Sequence, residues 1–309
     1  MCCLFGLIDY GRTLSAKEKN RILRVLSTEC EARGTDATGI AFNTDSGLNI
    51  YKRPVAAHNL WFMVPEEARI IMGHTRMTTQ GSEKLNYNNH PFLGHVDKLN
   101  FALAHNGVLH NDILLKEAEE LPDTHIQTDS YVAVQLIEKE NAVSFEAIRN
   151  MAEKTKGSFC YTILDEKDNL YFVKGDNPLV IFEFRGFFLY ASTEMILTKA
   201  VKKLGLRNYS KVEISSGDIL RINSYGNIEV EQFCYPDWYS DYYSYFSGSL
   251  YDYSGIYLLT EYASYFGIDE NDILLLLEYG YDELEIEEML YDTDYFHKCI
   301  DEMRMLEMC

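Results

Sequence analysis

The chain has 309 residues, of which 47% are hydrophobic and 13% aromatic, and this apolar content excludes global disorder. The 28 basic and 48 acidic side chains give a formal net charge of −20, so no nucleic-acid partner is expected. No apolar run approaches the roughly 20 residues that a membrane-spanning helix needs, and no membrane partner is expected either.

The first 234 residues alternate between helical and strand-like patterns. Ser15 and Glu18 have the spacing of a capping box, and the apolar residues after them predict a helix ending near Gly34. Further helices are predicted from Thr128 to about Glu138 and from Ser144 onward. Short apolar or alternating runs between turn residues predict strands over 39–43, 48–52, 69–75, 101–105, 159–165, 170–174, 179–184, 187–191, 218–222 and 228–233. The pattern favours an α+β fold with antiparallel sheets.

The composition changes after residue 234. Residues 235–309 hold 18 acidic and two basic side chains and 14 of the 23 tyrosines. Residues 235–254 are predicted to be a Tyr/Ser/Asp-rich linker, and residues 255–309 show four short helical patterns. We expect a small acidic helical region, either a docking module for a basic partner or a solvated cap on the main domain.

The seven cysteines are odd in number and show neither a Cys-x-x-Cys pair nor the Cys/His spacing of a zinc site. They are typical of reduced thiols in a cytoplasmic protein, and no metal is expected. Residues 1–8 lack the basic start and the apolar length of a secretory signal, which favours the same location.

Cys2 follows the initiator methionine, whose removal would leave one residue with both a thiol and a free α-amine. A thiol with a pKa of about 8.5 is only a few per cent ionised at neutral pH, whereas an α-amine with a pKa of about 7.7–8.0 is partly unprotonated. The amine can therefore accept the thiol proton, and Cys2 could act as nucleophile and base together.

Six short blocks, the first of which contains Cys2, lie at 2–6, 33–39, 73–81, 88–92, 104–107 and 128–130. In this order and at these intervals they resemble the glutaminase domain of class II glutamine amidotransferases, which are N-terminal-nucleophile (Ntn) hydrolases. Residues 156–159, 176–179 and 191–194 extend the resemblance to about residues 2–232. The resemblance implies a four-layer αββα sandwich over residues 2–234, with no cofactor.

The resemblance also implies roles for individual positions. Cys2 would attack the side-chain amide of L-glutamine, and Asn106 and Gly107 would stabilise the oxyanion. A free amino acid is a zwitterion, so its recognition needs a cation for the carboxylate and an anion for the ammonium group. Arg76 and Asp129 match these two needs. Three further positions match the family. Thr79 is predicted to contact the carboxylate, and Arg33 and His90 are predicted to shape the site.

Each position also has a purely structural interpretation. The sequence His105-Asn106-Gly107 is typical of a tight turn, and Thr128-Asp129 before an apolar helix is typical of an N-cap.

Three positions depart from the family pattern. Cys3 replaces a small glycine beside the nucleophile, Met77 replaces a frequent aromatic residue, and Tyr131 replaces an acidic one.

Residues 235–309 contain no Gly-rich phosphate loop, so no site for an ammonia acceptor is expected within these 309 residues. The leading hypothesis is a glutaminase subunit that supplies ammonia to a separate synthase. Two alternatives stay open, an Ntn amidohydrolase acting on a γ-glutamyl or other amide, and a catalytically idle protein that binds a partner through its acidic region.

Overall fold

The structure is a computed structural model that describes residues 2–97, 99–235, 259–260, 263, 268–282, 285–286, 289–290 and 293–307. The chain divides into two compact units, Met1–Tyr235 and Pro236–Cys309. The predicted linker over 235–254 lies outside the described residues except for Tyr235, and so does most of the first of the four helical patterns.

The described residues of the first unit form two antiparallel sheets. The strands are β1 (Cys3–Ile8), β2 (Ala37–Thr44), β3 (Gly47–Arg53), β4 (Ile70–Arg76), β5 (Phe92–Val96), β6 (Leu99–Leu109), β7 (Gly157–Asp165), β8 (Asn169–Lys174), β9 (Val180–Phe184), β10 (Phe187–Ala191), β11 (Ser210–Val212), β12 (Asp218–Asn223) and β13 (Ile228–Gln232). One sheet has the order β11-β9-β10-β1-β4-β2-β3, and the other has the order β13-β12-β8-β7-β6-β5. β1 is therefore the central strand of the seven-stranded sheet.

Five helices are described in the first unit: α1 (Ala16–Glu29), α2 (Asp112–Ala118), α3 (Tyr131–Glu140), α4 (Phe145–Lys154) and α5 (Glu194–Leu204). Three hydrophobic clusters show how the layers stack. One joins α1 and α5 to the seven-stranded sheet, one lies between the two sheets, and one joins α3 and α4 to the six-stranded sheet. The unit is thus an αββα sandwich of four layers, as the sequence predicted.

The first predicted helix is confirmed. Ser15 and Glu18 form both hydrogen bonds of the capping box, and the buried face includes Ile22, Leu23 and Leu26. The helix over 128–138 was predicted three residues too early, because α3 begins at Tyr131. The helix predicted from Ser144 onward is α4, and Ser144 is its N-cap, accepting a hydrogen bond from the Ala147 N–H.

Five elements were not predicted, namely β1, β5, β11, α2 and α5. All six residues of β1 are buried, so the strand shows no polar alternation. β11 has three residues and α2 has seven, which is too short for a clear period. α5 did carry a signal, since Thr193 caps it and Gly205 ends it.

In the second unit, two helices are described in full: α6 (Glu270–Glu278) and α7 (Thr293–Glu307). Asp269 caps α6, accepting from the Asn271 N–H at 2.8 Å. Asp282 and Glu285 form a reciprocal pair of hydrogen bonds, at 3.0 and 2.8 Å. Across the described residues of both units, we find no helix with the length and apolar character needed to cross a membrane.

Candidate active site

Cys2 lies at the mouth of a small pocket, directly before the central strand β1. Its thiol donates to the Met77 carbonyl at 3.5 Å. Its own carbonyl accepts a hydrogen bond from Arg33 Nε at 2.9 Å, and the Arg33 side chain is 1% exposed. Burial raises the pKa of the Cys2 thiol above its ordinary value, although the nearby Arg76 and Arg33 guanidinium groups offset part of this effect. The thiol therefore needs a base to ionise at neutral pH.

The pocket beside Cys2 is small. Six residues that the sequence singled out line it together, namely Cys2, Arg76, Thr79, His90, Gly107 and Asp129. Arg33 and Asn106 do not line it and instead lie behind its wall. The pocket thus brings a thiol, a guanidinium group and a carboxylate to one cavity, although these groups come from distant parts of the chain.

Arg76 is the cation of the pocket and ends β4. Its side chain is 3% exposed. Its Nη1 atom donates to Asn89 Oδ1 at 2.7 Å, and Nη2 donates to the carbonyls of Gln80 and Gly81 at 2.5 and 3.2 Å. A guanidinium group has five N–H donors, so these contacts with described residues leave two for a bound ligand. The fork geometry suits a carboxylate.

Asp129 is the anion of the pocket. It lies before α3 and is 4% exposed, and its Oδ2 accepts from the Leu109 N–H of β6 at 2.6 Å. The capping interpretation of Thr128-Asp129 is wrong in the structure. The residue at the N-cap position of α3 is Ser130, and it makes no side-chain cap hydrogen bond. The carboxylate is held against β6, and its Oδ1 accepts a hydrogen bond from the Ser130 hydroxyl at 3.4 Å. Its role toward an ammonium group stays a prediction.

Gly107 and Asn106 lie within β6 rather than in a tight turn, because β6 continues to Leu109 and pairs with β7 through both positions. Gly107 has φ of 140°, and a Cβ there would lie 1.9 Å from the Ser158 carbonyl oxygen. Only glycine fits this conformation and this approach. Asn106 is fully buried, and its Nδ2 donates to Ser192 Oγ at 3.5 Å. Its role toward an oxyanion stays a prediction.

Three buried histidines are neutral, and two of them, His90 and His105, line the pocket. Burial lowers the pKa of His74 to about 3, and its Nε2 donates to the His105 carbonyl at 3.0 Å, which joins the two sheets. Burial also lowers the pKa values of His90 and His105. Both ring nitrogens of His90 lack a hydrogen-bond partner among the described residues. His90 therefore lines the pocket as an uncharged ring, and its site-shaping role stays a prediction.

Cys3 does not crowd the nucleophile, although it replaces a glycine. Successive residues of a strand point to opposite faces, and Cys3 lies fully buried in the cluster beneath α1. Its Sγ is 2.9 Å from Cys30 Sγ. The Cys3 thiol thus belongs to the hydrophobic core beneath α1.

Five pocket-lining residues were not proposed as site residues from the sequence. They are Met77, Gln80, His105, Thr128 and Ser130. All five lie inside the sequence blocks that carried the family resemblance, so that signal could have found them. No cluster of His, Cys, Asp and Glu suited to a metal ion occurs within the part of the chain that the structure describes.

Comparison with known proteins supports the family resemblance that the sequence blocks indicated. Residues 74–199 match the model of a glutamine amidotransferase domain family. Glutamine–fructose-6-phosphate aminotransferase (isomerizing) of Geobacillus kaustophilus is 30% identical over 233 residues, covering 72% of this chain and 36% of the relative. The Bacillus subtilis enzyme of the same name is 32% identical over 185 residues, covering 57% and 30%.

Among solved structures, the glutamine phosphoribosylpyrophosphate amidotransferase of B. subtilis, complexed with ADP and GMP, superposes with a TM-score of 0.61. The superposition covers 75% of this chain and 49% of that one, at 23% identity, and shows that the fold is shared. A structure described as the allosteric regulatory enzyme of purine biosynthesis gives a TM-score of 0.60 with 24% identity, covering 75% and 49%.

The two-sheet sandwich of the first unit, with Cys2 directly before its central strand, is a fold shared with these amidotransferases. Over residues 74–199 the chain carries a glutamine amidotransferase domain, and the relatives that it matches are named as glutamine–fructose-6-phosphate aminotransferases. It spans about a third of the length of the curated relatives that it matches.

Proposed function

We propose that this chain hydrolyses L-glutamine to glutamate and ammonia through Cys2. The observation that carries the proposal is the single pocket in which the Cys2 thiol meets Arg76 and Asp129. Opposite charges in one small cavity suit the α-carboxylate and α-ammonium groups of a free amino acid, and the thiol suits an attack on its side-chain amide.

The reaction needs a free α-amine on Cys2, and therefore the removal of Met1. The amine accepts the thiol proton, and the thiolate attacks the δ-carbonyl carbon of glutamine. The oxyanion is stabilised by the Gly107 N–H and the Asn106 amide, and loss of one such donor typically costs about 10²–10³ in rate. The α-ammonium group of Cys2 returns its proton to the leaving NH2 nitrogen as the C–N bond breaks, and ammonia is released. Water then hydrolyses the γ-glutamyl thioester and frees the thiol.

The electrostatics of Cys2 support this use of the amine. Burial raises the pKa of the thiol, so the unassisted thiolate is scarce at neutral pH. The buried histidines near the pocket have lowered pKa values, and no described contact joins any of them to the Cys2 thiol. The α-amine of Cys2 itself is the base that lies within reach of the thiol.

We further propose that a separate synthase uses the ammonia. Two observations support this. The described residues of the second unit form short acidic helices, and residues 235–309 contain no Gly-rich phosphate loop. An ammonia-accepting site would therefore lie outside these 309 residues.

The test is glutamate release by the wild type, by Cys2→Ala and by Cys234→Ala, with the intact mass of each sample. Cys234 is an exposed thiol and serves as the matched control. We expect activity in the wild type freed of Met1 and in Cys234→Ala, with none in Cys2→Ala. Faster cleavage of γ-glutamyl peptides than of glutamine would indicate the other amidohydrolase class. An inactive wild type with a free Cys2, tested on a full amide panel, would indicate the idle interaction protein.

The proposed partner requires its own test. A synthase captured with this chain from its source organism should raise the rate of glutamate release. A synthase that binds the chain without changing this rate, and without accepting its ammonia, contradicts the subunit proposal.

A further inference from the structure

Lys52 reaches the wall of the pocket from β3, the edge strand of the seven-stranded sheet. Its ammonium group donates to the Asn89 carbonyl at 2.5 Å and to the Pro91 carbonyl at 2.9 Å. It thus bridges the two ends of the 89–91 segment, which consists of Asn89, His90 and Pro91. Hydrogen bonds from a charged donor are about twice as strong as neutral ones, so the Lys52 ammonium group holds the segment strongly.

The 89–91 segment carries two parts of the pocket. Asn89 Oδ1 accepts from Arg76 Nη1 at 2.7 Å, and the His90 ring lines the cavity. The Asn89 amide in turn donates to the Glu83 carbonyl at 2.8 Å, so its side chain is held at both ends. Any shift of the 89–91 segment therefore moves the Asn89 side chain, which accepts a hydrogen bond from the Arg76 guanidinium group.

The opposite side of the segment rests on β2. A Cβ at Gly39 would lie 2.2 Å from the His90 carbonyl oxygen and 2.8 Å from the Lys52 Cβ. Glycine at this position allows the segment to pack directly on the sheet. The segment is therefore held between the backbone of β2 and the Lys52 ammonium group.

We infer that Lys52 is a positioning residue for glutamine binding, acting through Asn89 on the Arg76 guanidinium group. The inference rests on the proposed function, because it assigns Arg76 to the substrate carboxylate. Lys52 does not line the pocket itself. Burial and the neighbouring Arg76 lower the pKa of Lys52 to about 8, which shows that the two cations lie close together. Its loss should weaken substrate binding while leaving Cys2 unaffected.

The test compares Lys52→Met with Arg53→Met, the next residue on β3, whose side chain points to the opposite face and is exposed. Lys52→Met keeps an apolar chain over the Phe92 ring, which lies 5.2 Å from the ammonium group, but removes every donor. We expect the KM for glutamine to rise about tenfold and kcat to change less than threefold, since one charge-assisted hydrogen-bond bridge is lost. Arg53→Met should match the wild type. Lys52→Gln keeps an amide donor group and should give an intermediate KM. It also serves as the test variant if Lys52→Met does not fold.

A second measurement does not depend on the substrate. Hydrogen exchange of peptides covering residues 86–93 should be faster in Lys52→Met than in the wild type and in Arg53→Met. An unchanged KM, or a loss confined to kcat, overturns the inference. If the wild type releases no glutamate, the proposed function fails. The positioning role is then decided by hydrogen exchange alone, and unchanged exchange over residues 86–93 overturns it.

Discussion

Arg33 Nε donates a hydrogen bond to the carbonyl oxygen of Cys2 at 2.9 Å, across 31 positions of sequence. Arg33 ends the 3-10 turn that follows α1, and its side chain is 1% exposed. A buried cation thus fixes the backbone of the nucleophile instead of contacting the pocket.

Replacing Arg33 by Met should lower kcat for glutamate release by about tenfold to a hundredfold, because a hydrogen bond from a charged donor contributes about 1.5–3 kcal/mol. KM should change little, since Arg33 does not line the pocket. Steady-state kinetics give both values. Arg24→Met is the control, because Arg24 is an exposed residue of α1 that lies over the Trp61 ring. An unchanged kcat in Arg33→Met would contradict this role.

Asp129→Asn should raise the KM for glutamine by about tenfold to a hundredfold. The substitution removes the negative charge opposite the α-ammonium group but keeps an acceptor for the Leu109 N–H. Glutamine analogues without the amino group should discriminate poorly between the variant and the wild type. Asp123→Asn, a change at an exposed site nearby in the chain, should leave KM unaffected. Equal KM values for the two variants would remove Asp129 from substrate binding.

Gly107→Ala should abolish glutamate release and destabilise the fold by more than about 1 kcal/mol, since the new Cβ would meet the Ser158 carbonyl at 1.9 Å. Gly205→Ala is a matched control, because Gly205 also has a positive φ, of 72°, but has no atom within 4 Å of its added Cβ. It should be destabilised by about 1 kcal/mol and stay active. Thermal unfolding and activity assays separate the two effects, and an active Gly107→Ala would refute the tight approach.

Iodoacetamide should alkylate Cys2 and Cys234 in the native protein and spare the buried thiols of Cys3, Cys30 and Cys160. Labelling of Cys2 should accelerate as the pH rises through and above 9, because burial raises its pKa. Glutamine should protect Cys2 and leave Cys234 reactive. Peptide mass mapping identifies the modified sites. Native labelling of Cys3 ahead of Cys2 would contradict the opposite orientation of their side chains.

His74 should make the fold sensitive to acid. Its pKa is lowered to about 3 from an ordinary value of 6.5, so the unfolded chain binds one more proton between these pH values. Stability therefore falls as the pH drops from 6.5 toward 3, by up to about 1.4 kcal/mol per pH unit for this group. His74→Gln, which keeps a donor for the His105 carbonyl, should flatten the dependence. Urea unfolding at several pH values measures it, and equal slopes would contradict the assignment.

Much of the pocket could be predicted from the sequence because its residues occur in short blocks with recognisable spacing. Arg76 and Asp129 were assigned in this way, and both line the cavity. Lys52 could not be predicted, because its role depends on a contact between β3 and the 89–91 segment that no local pattern encodes. The central strand β1 escaped prediction for a different reason, since both of its faces are buried and no alternation marks it.

The central place of β1 has a consequence for the maturation of the enzyme. β1 pairs with β4 on one side and with β10 on the other, where Phe5 lies opposite Ala191. At a synthesis rate of about 5–20 residues per second, roughly 10 to 40 seconds pass between the synthesis of these two partners. During this interval one edge of the N-terminal strand stays open. An aminopeptidase therefore has time to act on Met1 of the growing chain before the last neighbouring strand completes the sheet around β1.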